Sequence, residues 1–418
     1  MLSAKGNGLQ MISLKLENLE DGLFSIFSGI DAQVKENLQR VLTAFRRYRI
    51  GSHHFAGVTG YGHDDLGRQA LDQVFAEVMG AEAAIVRVQF VSGTHAIACA
   101  LYGILRPGDE LLAVAGHPYD TLEEVIGLRG KNQGSLAEFG VTYRELDLTP
   151  ANSLDWEGLA MAVGAKTRMV LIQRSCGYSW RPSLTIAEIE RIVRLVKQQN
   201  PQTICFVDNC YGEFVENREP PAVGADLIAG SLIKNPGGTI VPAGGYVAGR
   251  ADLVEAAACR LTAPGVGSSG GATFDQNRLL FQGLFLAPQM VGEAMKGNWL
   301  TAQVFHQLGY PVKPLPDAPQ RDVIQAIQLG SPEKLIAFCR AIQQNSPIGS
   351  YLDPVPAEMP GYESQLVMAG GTFIDGSTSE FSADGPLREP YVVYCQGGTH
   401  WTHVAIALET AVAVVGPA

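Results

Sequence analysis

Leu227-Ile-Ala-Gly-Ser-Leu-Ile-Lys234-Asn-Pro-Gly-Gly238 is a short apolar run that ends in a lysine and a glycine turn. It is too short for an ordinary helix and shows no polar alternation, so it reads as a strand buried on both faces, with Lys234 at its mouth. Six more such runs surround it in sequence, at 83–91, 110–115, 141–146, 168–173, 203–207 and 244–248. Helical spacing fills several of the gaps, at 95–105, 119–128 and 186–199. The last of these opens on a Thr185/Glu188 capping box. Buried strands that alternate with helices imply an α/β fold: a mostly parallel sheet of about seven strands, with helices on both faces. Ligands of such sheets bind beyond the carboxyl ends of the strands. The residues just after each run therefore carry the functional reading.

The remaining chain divides around this sheet. An amphipathic helix is expected at 31–48, then a Gly/His-rich ordered loop from Gly51, then a helix over Leu66, Ala70, Leu71, Val74, Phe75 and Val78 that Gly80 stops. After Arg250 the character changes. A Gly/Ser/Thr loop (260–274), a long helical region (276–308) and a proline-rich connection (311–319) lead to a helix capped by Ser331 and Pro332 and to a last helix at 401–414. The expected division is an N-terminal arm and helix (1–50), a large cofactor-binding domain (51–275), and linking helices with a smaller C-terminal α+β domain (276–418).

Composition limits the function. The 418 residues are 46% hydrophobic and 17% charged, which is globular, and the formal charge of -11 comes with no Lys/Arg cluster. No nucleic-acid surface and no anionic-membrane partner is expected. No window approaches the ~18 apolar residues of a membrane span, and residues 1–20 lack a secretory-leader core, so a cytoplasmic protein is expected. Seven scattered cysteines without a CxxC pair point to neither a disulfide framework nor a zinc site.

Four strand ends carry polar groups. After 83–91 comes Ser92-Gly93-Thr94-His95, small residues opening a helix, whose amides suit a phosphate or carboxylate. After 110–115 comes Tyr119, placed to stack on a flat ring. After 203–207 come Asp208 and Asn209; a carboxylate at the edge of a buried sheet calls for a cationic partner. Lys234 follows 227–233, where desolvation can leave a nucleophilic neutral amine. Each alone has an ordinary explanation: a small-residue turn, a surface tyrosine, a capping aspartate, a lysine reaching to solvent. Together they supply what pyridoxal 5'-phosphate requires: amides for its phosphate, an aromatic face, a carboxylate for the pyridinium and an imine-forming lysine.

Val207-Asp208-Asn209 followed by Ser231-Leu232-Ile233-Lys234 resembles the Cys/Met-metabolism branch of the fold-type I pyridoxal-phosphate enzymes, the aspartate-aminotransferase-like fold. Thr59-Gly-Tyr-Gly-His-Asp-Asp-Leu-Gly-Arg68, Gln89-Phe-Val-Ser-Gly-Thr-His-Ala96, Gln173-Arg-Ser-Cys-Gly-Tyr-Ser-Trp-Arg181 and Gln396-Gly-Gly-Thr-His400 narrow it: residues 45–415 resemble the aluminium-resistance, or methionine gamma-lyase-like, family. The resemblance implies Lys234 as the Schiff-base lysine, Asp208 as the pyridinium partner, Gly93, Thr94 and Ser231 at the phosphate and Tyr119 as the stacking ring. It also implies that Tyr61 reaches a neighbouring subunit's phosphate site, and hence a homodimer or homotetramer. Arg388 is the candidate clamp for the substrate carboxylate, and Asn209 is the other substrate-binding candidate. Ile233 stands where a hydroxyl residue is usual and His63 where an arginine is usual, so His63, His95 or the 265–273 loop are candidates for the missing phosphate contacts.

The implied activity is carbon–sulfur elimination from a small amino-acid substrate, giving thiol, 2-oxo acid and ammonia, with Lys234 as base at Cα and Tyr119 assisting the leaving sulfur. Two alternatives stand at this stage. One is another reaction on the same cofactor, γ-replacement, aldol cleavage or racemisation; the other is a non-catalytic metal-stress protein. The histidines form no HxH or HxxxH array, so no metal site is expected.

Overall fold

In the computed structural model, which describes residues 20–131, 133–377 and 380–418, each of the seven apolar runs contains a strand. The segment read as lacking a leader core, and the start of the expected arm, lie largely outside the described residues. Helix α1 (Glu20–Arg47) begins well before the expected start at residue 31, and α2 (Leu66–Met79) follows, capped by Asp65 and ended by Gly80 in the left-handed conformation. Then come β1 (Ala83–Arg87), α3 (Gly93–Ile104), β2 (Glu110–Ala113), α4 (Asp120–Ile126), β3 (Thr142–Glu145), α5 (Trp156–Ala162) and β4 (Thr167–Gln173). Next are α6 (Ile186–Gln199), β5 (Ile204–Asp208), β6 (Leu227–Ser231), β7 (Gly245–Gly249) and α7 (Ala251–Leu261).

The sheet order is β1-β7-β6-β5-β4-β2-β3. Strands β3, β2, β4, β5 and β6 pair in parallel, while β7 runs antiparallel to both β6 and β1. Burial on both faces follows residue by residue, because successive side chains of a strand point to opposite sides. Val170 and Ile172 join one apolar cluster, with residues of α2, α6 and the long helix α8 (Asn277–Gln307). Met169 and Leu171 join the other, with residues of α3 and α7. Each large side chain so buried contributes roughly 1.5–3 kcal/mol of transfer free energy. Parallel pairing sends the carboxyl ends of β4, β5 and β6 to one edge, where the sequence places Gln173, Asp208 and Ser231.

The 31 residues of α8 would span about 46 Å and join the two cores. Leu280, Phe281, Leu284 and Val291 pack in the large core; Leu300, Val304 and Phe305 pack in a second one. Helix α1 lies along α8, with Asp31 paired to Lys296 at 2.6 Å. The second core is built on β8 (Val312–Lys313), β9 (Ile324–Gln328), α9 (Pro332–Gln344), β10 (Leu366–Ala369), β11 (Ser382–Pro386), β12 (Val392–Gln396) and α10 (Trp401–Val415). Its sheet is antiparallel, in the order β10-β11-β12-β9-β8. Helices α5 and α7 are additions to what the sequence predicts. Only Leu159 of α5 is buried, so that helix carries almost no periodic signal. Among the described residues no helix is long and apolar enough to cross a membrane.

Candidate functional site

The carboxyl ends of β4, β5 and β6, the first turn of α3 and the loop before α4 meet the second sheet at a cavity of about 890 Å³. Lys234 lines it just past β6, half-buried, with Nζ 3.8 Å from the ring centre of Tyr211. Burial works against its charge, but Tyr211, Cys210 and Asp208 outweigh burial and hold its pKa above the ordinary lysine value. The strand end that excludes water thus also supplies groups that oppose loss of the proton.

Asp208 closes β5, buried, and accepts a hydrogen bond from the Cys210 amide at 3.1 Å. Burial raises its pKa and the Lys234 charge opposes that rise. Ser231, the last residue of β6, is buried and lines the cavity opposite Gly93. A Cβ on Gly93 would lie 3.1 Å from Ser231 Cβ and 3.3 Å from Cys210 Sγ, so glycine is what lets α3 seat this tightly. Ser92 caps α3 by accepting from the His95 amide at 3.1 Å. The first-turn amides of Gly93 and Thr94 lack intrahelical partners, and both residues line the cavity. A half-buried cation, a carboxylate and a helix amide end thus face one chamber large enough for a pyridoxal phosphate and a small amino acid; the donor set fits that cofactor.

Tyr119 also lines the cavity. Its amide donates to Gln173 Oε1 at 2.7 Å, and its hydroxyl meets that of Tyr362, from the loop ahead of β10. Burial pushes the Tyr119 phenol well above its ordinary pKa, which keeps it a proton donor. Tyr178 stands between these rings and Tyr394 of β12, with centroids 5.7 Å from Tyr119, 5.9 Å from Tyr362 and 5.2 Å from Tyr394. The loop carrying Tyr178 is pinned by Arg181, which donates to Gln173 O at 2.9 Å, and by Ser175, which donates to Asp322 at 3.0 Å.

Five expected residues lie elsewhere. Asn209 is fully buried behind the cavity, where its oxygen accepts from Arg174 at 2.9 Å and its amide donates to Glu219 at 3.2 Å; it is not a lining residue. The strand end turns one side chain to the cavity and the next into the wall. Arg388 is exposed in the turn between β11 and β12, outside the cavity lining, although its charge acts on Asp120. The ring of His95 accepts from the Val91 amide at 3.2 Å and packs on Phe90 rather than lining the chamber. Tyr61 is 84% exposed and, like His63 and the 265–273 loop, does not line this chain's cavity. Gly271 N donates to Tyr61 O at 2.9 Å, so that loop braces the Tyr61 segment.

Sequence reasoning missed Asp384, Tyr178, Tyr211, Tyr362, Tyr394 and Gln396, all of which line the cavity. Tyr178 and Gln396 stand inside the quoted motifs, and Tyr211 follows Asp208 closely enough to have been a signal. Asp384, in Ser-Ala-Asp-Gly-Pro, reads as a turn. Among the described residues, no group of three or more His, Cys, Asp or Glu side chains is placed to hold a metal ion.

Similarity to known proteins extends over nearly the whole chain. The YnbB protein of Bacillus subtilis is 50% identical over 390 residues, 92% of this chain and 93% of its own. A Listeria monocytogenes structure, provisionally named a cystathionine beta-lyase involved in aluminium resistance, superposes with a TM-score of 0.93 at 46% identity, over 96% of this chain and 100% of that one. A Clostridium novyi structure, named a carbon–sulfur lyase involved in aluminium resistance, gives 0.92 at 44% identity, over 97% and 96%. The family model described as methionine gamma-lyase matches residues 12–416, from α1 through α10. By fold, by the chamber at the strand ends and by sequence, the chain belongs to the methionine gamma-lyase family.

Proposed function

We propose that this chain is a pyridoxal-phosphate-dependent carbon–sulfur lyase that eliminates a thiol from a sulfur amino acid and releases a 2-oxo acid and ammonia. The observation that carries the reading is the convergence of Lys234, Asp208 and the amide end of α3 on one cavity. When bound, the cofactor supplies an electron sink for the charge left at Cα. Asp208, lining the cavity, would pair with the ring nitrogen and hold its proton. The Gly93 and Thr94 amides, with Ser231, would hold the phosphate. Lys234 would anchor the cofactor and take the proton from the substrate Cα. Tyr119, whose phenol stays protonated, donates to the departing sulfur.

The exposure of Tyr61 supports a role in a neighbouring copy's phosphate site, so the working unit is a homo-oligomer. Arg388, exposed and outside this cavity, would clamp the substrate carboxylate on closure of the second sheet's domain over the substrate. The testing experiment is a panel of sulfur amino acids with thiol, pyruvate and 2-oxobutyrate measured separately. Thiol with pyruvate marks β-elimination, and thiol with 2-oxobutyrate marks γ-elimination. Racemised or γ-substituted amino acid without thiol release contradicts the lyase reading.

A further inference from the structure

The elimination proposed above does not use Asp384. This residue lies in the middle of β11, paired on one side with Met368 of β10 and on the other with Tyr394 of β12, and it is buried while lining the cavity. Gln396 Nε2 donates to its Oδ2 at 2.9 Å, and the Tyr178 hydroxyl bonds to it as well. Both donors are neutral. A carboxylate offers about four acceptor positions, so two such bonds leave capacity facing the chamber.

The charge inventory makes that capacity meaningful. Among the described residues lining the cavity, Lys234 is the only basic side chain, against Asp208, Asp353, Asp375 and Asp384. Asp353 and Asp375 are exposed. Once Lys234 and Asp208 serve the cofactor, Asp384 is the buried charge left without a counterion, a state that a cationic ligand group relieves. The surroundings suit such a group. Tyr178, Tyr362 and Tyr394 frame the site with centroids 5.2–5.9 Å apart, and phenol faces attract cations.

We propose that Asp384, framed by Tyr178 and Tyr394, binds a positive charge on the leaving-group half of the substrate, so that the chain selects sulfur amino acids whose thiol half carries an ammonium group over neutral thioethers such as methionine. This rests on the lyase reading above. The test is calorimetric binding to the holoenzyme of L-ornithine and L-norleucine, which match in side-chain length and carry no sulfur. L-Ornithine should bind at least about tenfold more tightly, and Asp384→Asn should bring the two affinities close together. In turnover, the same variant should lower the ratio of kcat/KM for L-cystathionine to that for L-methionine by about tenfold. Equal binding of the two probes by the wild-type enzyme overturns the proposal whether or not the variant folds, and so does a preference that survives in Asp384→Asn. Failure of the lyase reading shows separately, as no thiol release from any sulfur amino acid with the ornithine preference intact.

Discussion

Lys234 is held between opposed effects. The strand end that buries it disfavours its charge, while Tyr211, Cys210 and Asp208 retain it. Burial pushes the Tyr119 phenol well above its ordinary pKa, so it stays protonated near neutrality. Tyr119→Phe should therefore keep the visible absorbance of bound cofactor while lowering kcat for thiol release by about a hundredfold or more, read by steady-state kinetics. Asp384 gives a second prediction. Burial raises its pKa from 3.8 to about 6, with the Tyr178 hydroxyl, Lys234 and Gln396 opposing the rise. The phenols of Tyr119, Tyr178, Tyr362 and Tyr394 and the thiols of Cys339 and Cys395 are themselves raised, so Lys234 is the only other charge among these groups near neutrality. A raised carboxyl favours the fold when protonated. That contribution is fully present below 3.8 and is lost as pH rises through about 6. Denaturation across this window should show the wild type losing on the order of 2 kcal/mol relative to Asp384→Asn; parallel curves for the two proteins would contradict it. Lys234, Asp208 and Tyr119 were legible because each follows a recognisable apolar run. Asp384 was not, because its strand, Ser-Ala-Asp-Gly-Pro, carries no large apolar residue and becomes buried only through β10 and β12 on either side.

The elements of the large sheet were legible for a related reason. Strands covered on both faces are apolar throughout, and glycine, proline or a cap marks their ends, so all seven could be placed, although the antiparallel direction of β7 is a matter of pairing that no single segment encodes. Helix α6 was placed from its capping box, in which Thr185 accepts from the Glu188 amide at 3.1 Å and Glu188 Oε2 accepts from the Thr185 amide at 2.8 Å. Thr185→Ala should cost about 1 kcal/mol in denaturant unfolding and leave turnover unchanged, since α6 lies away from the cavity. The start of α3 should behave in the opposite way. Gly93→Ala places a methyl 3.1 Å from Ser231 Cβ, so helix and strand must separate by a few tenths of an ångström. The expected result is weaker retention of pyridoxal phosphate, by roughly tenfold in Kd, measured by dialysis and absorbance.

At the scale of the whole molecule, α8 joins two cores, and the chamber lies where the strand ends of one meet the second sheet. The phenols that complete it come from segments far apart in sequence, which is why a strand-by-strand reading found its floor and not its roof. Tyr61, exposed and away from its own chain's cavity, gives a prediction at this scale. If it serves a neighbouring copy, co-expressed Lys234→Ala and Tyr61→Ala chains, each poorly active alone, should form mixed oligomers that regain thiol release; additive residual activities would contradict a shared site. The central claim, that Lys234 carries pyridoxal phosphate at the heart of the chamber, is tested most directly by borohydride reduction of the purified holoenzyme followed by peptide mass spectrometry. The account predicts a pyridoxyl-phosphate adduct on the peptide containing Lys234; an adduct on a different lysine, or none at all, would contradict it.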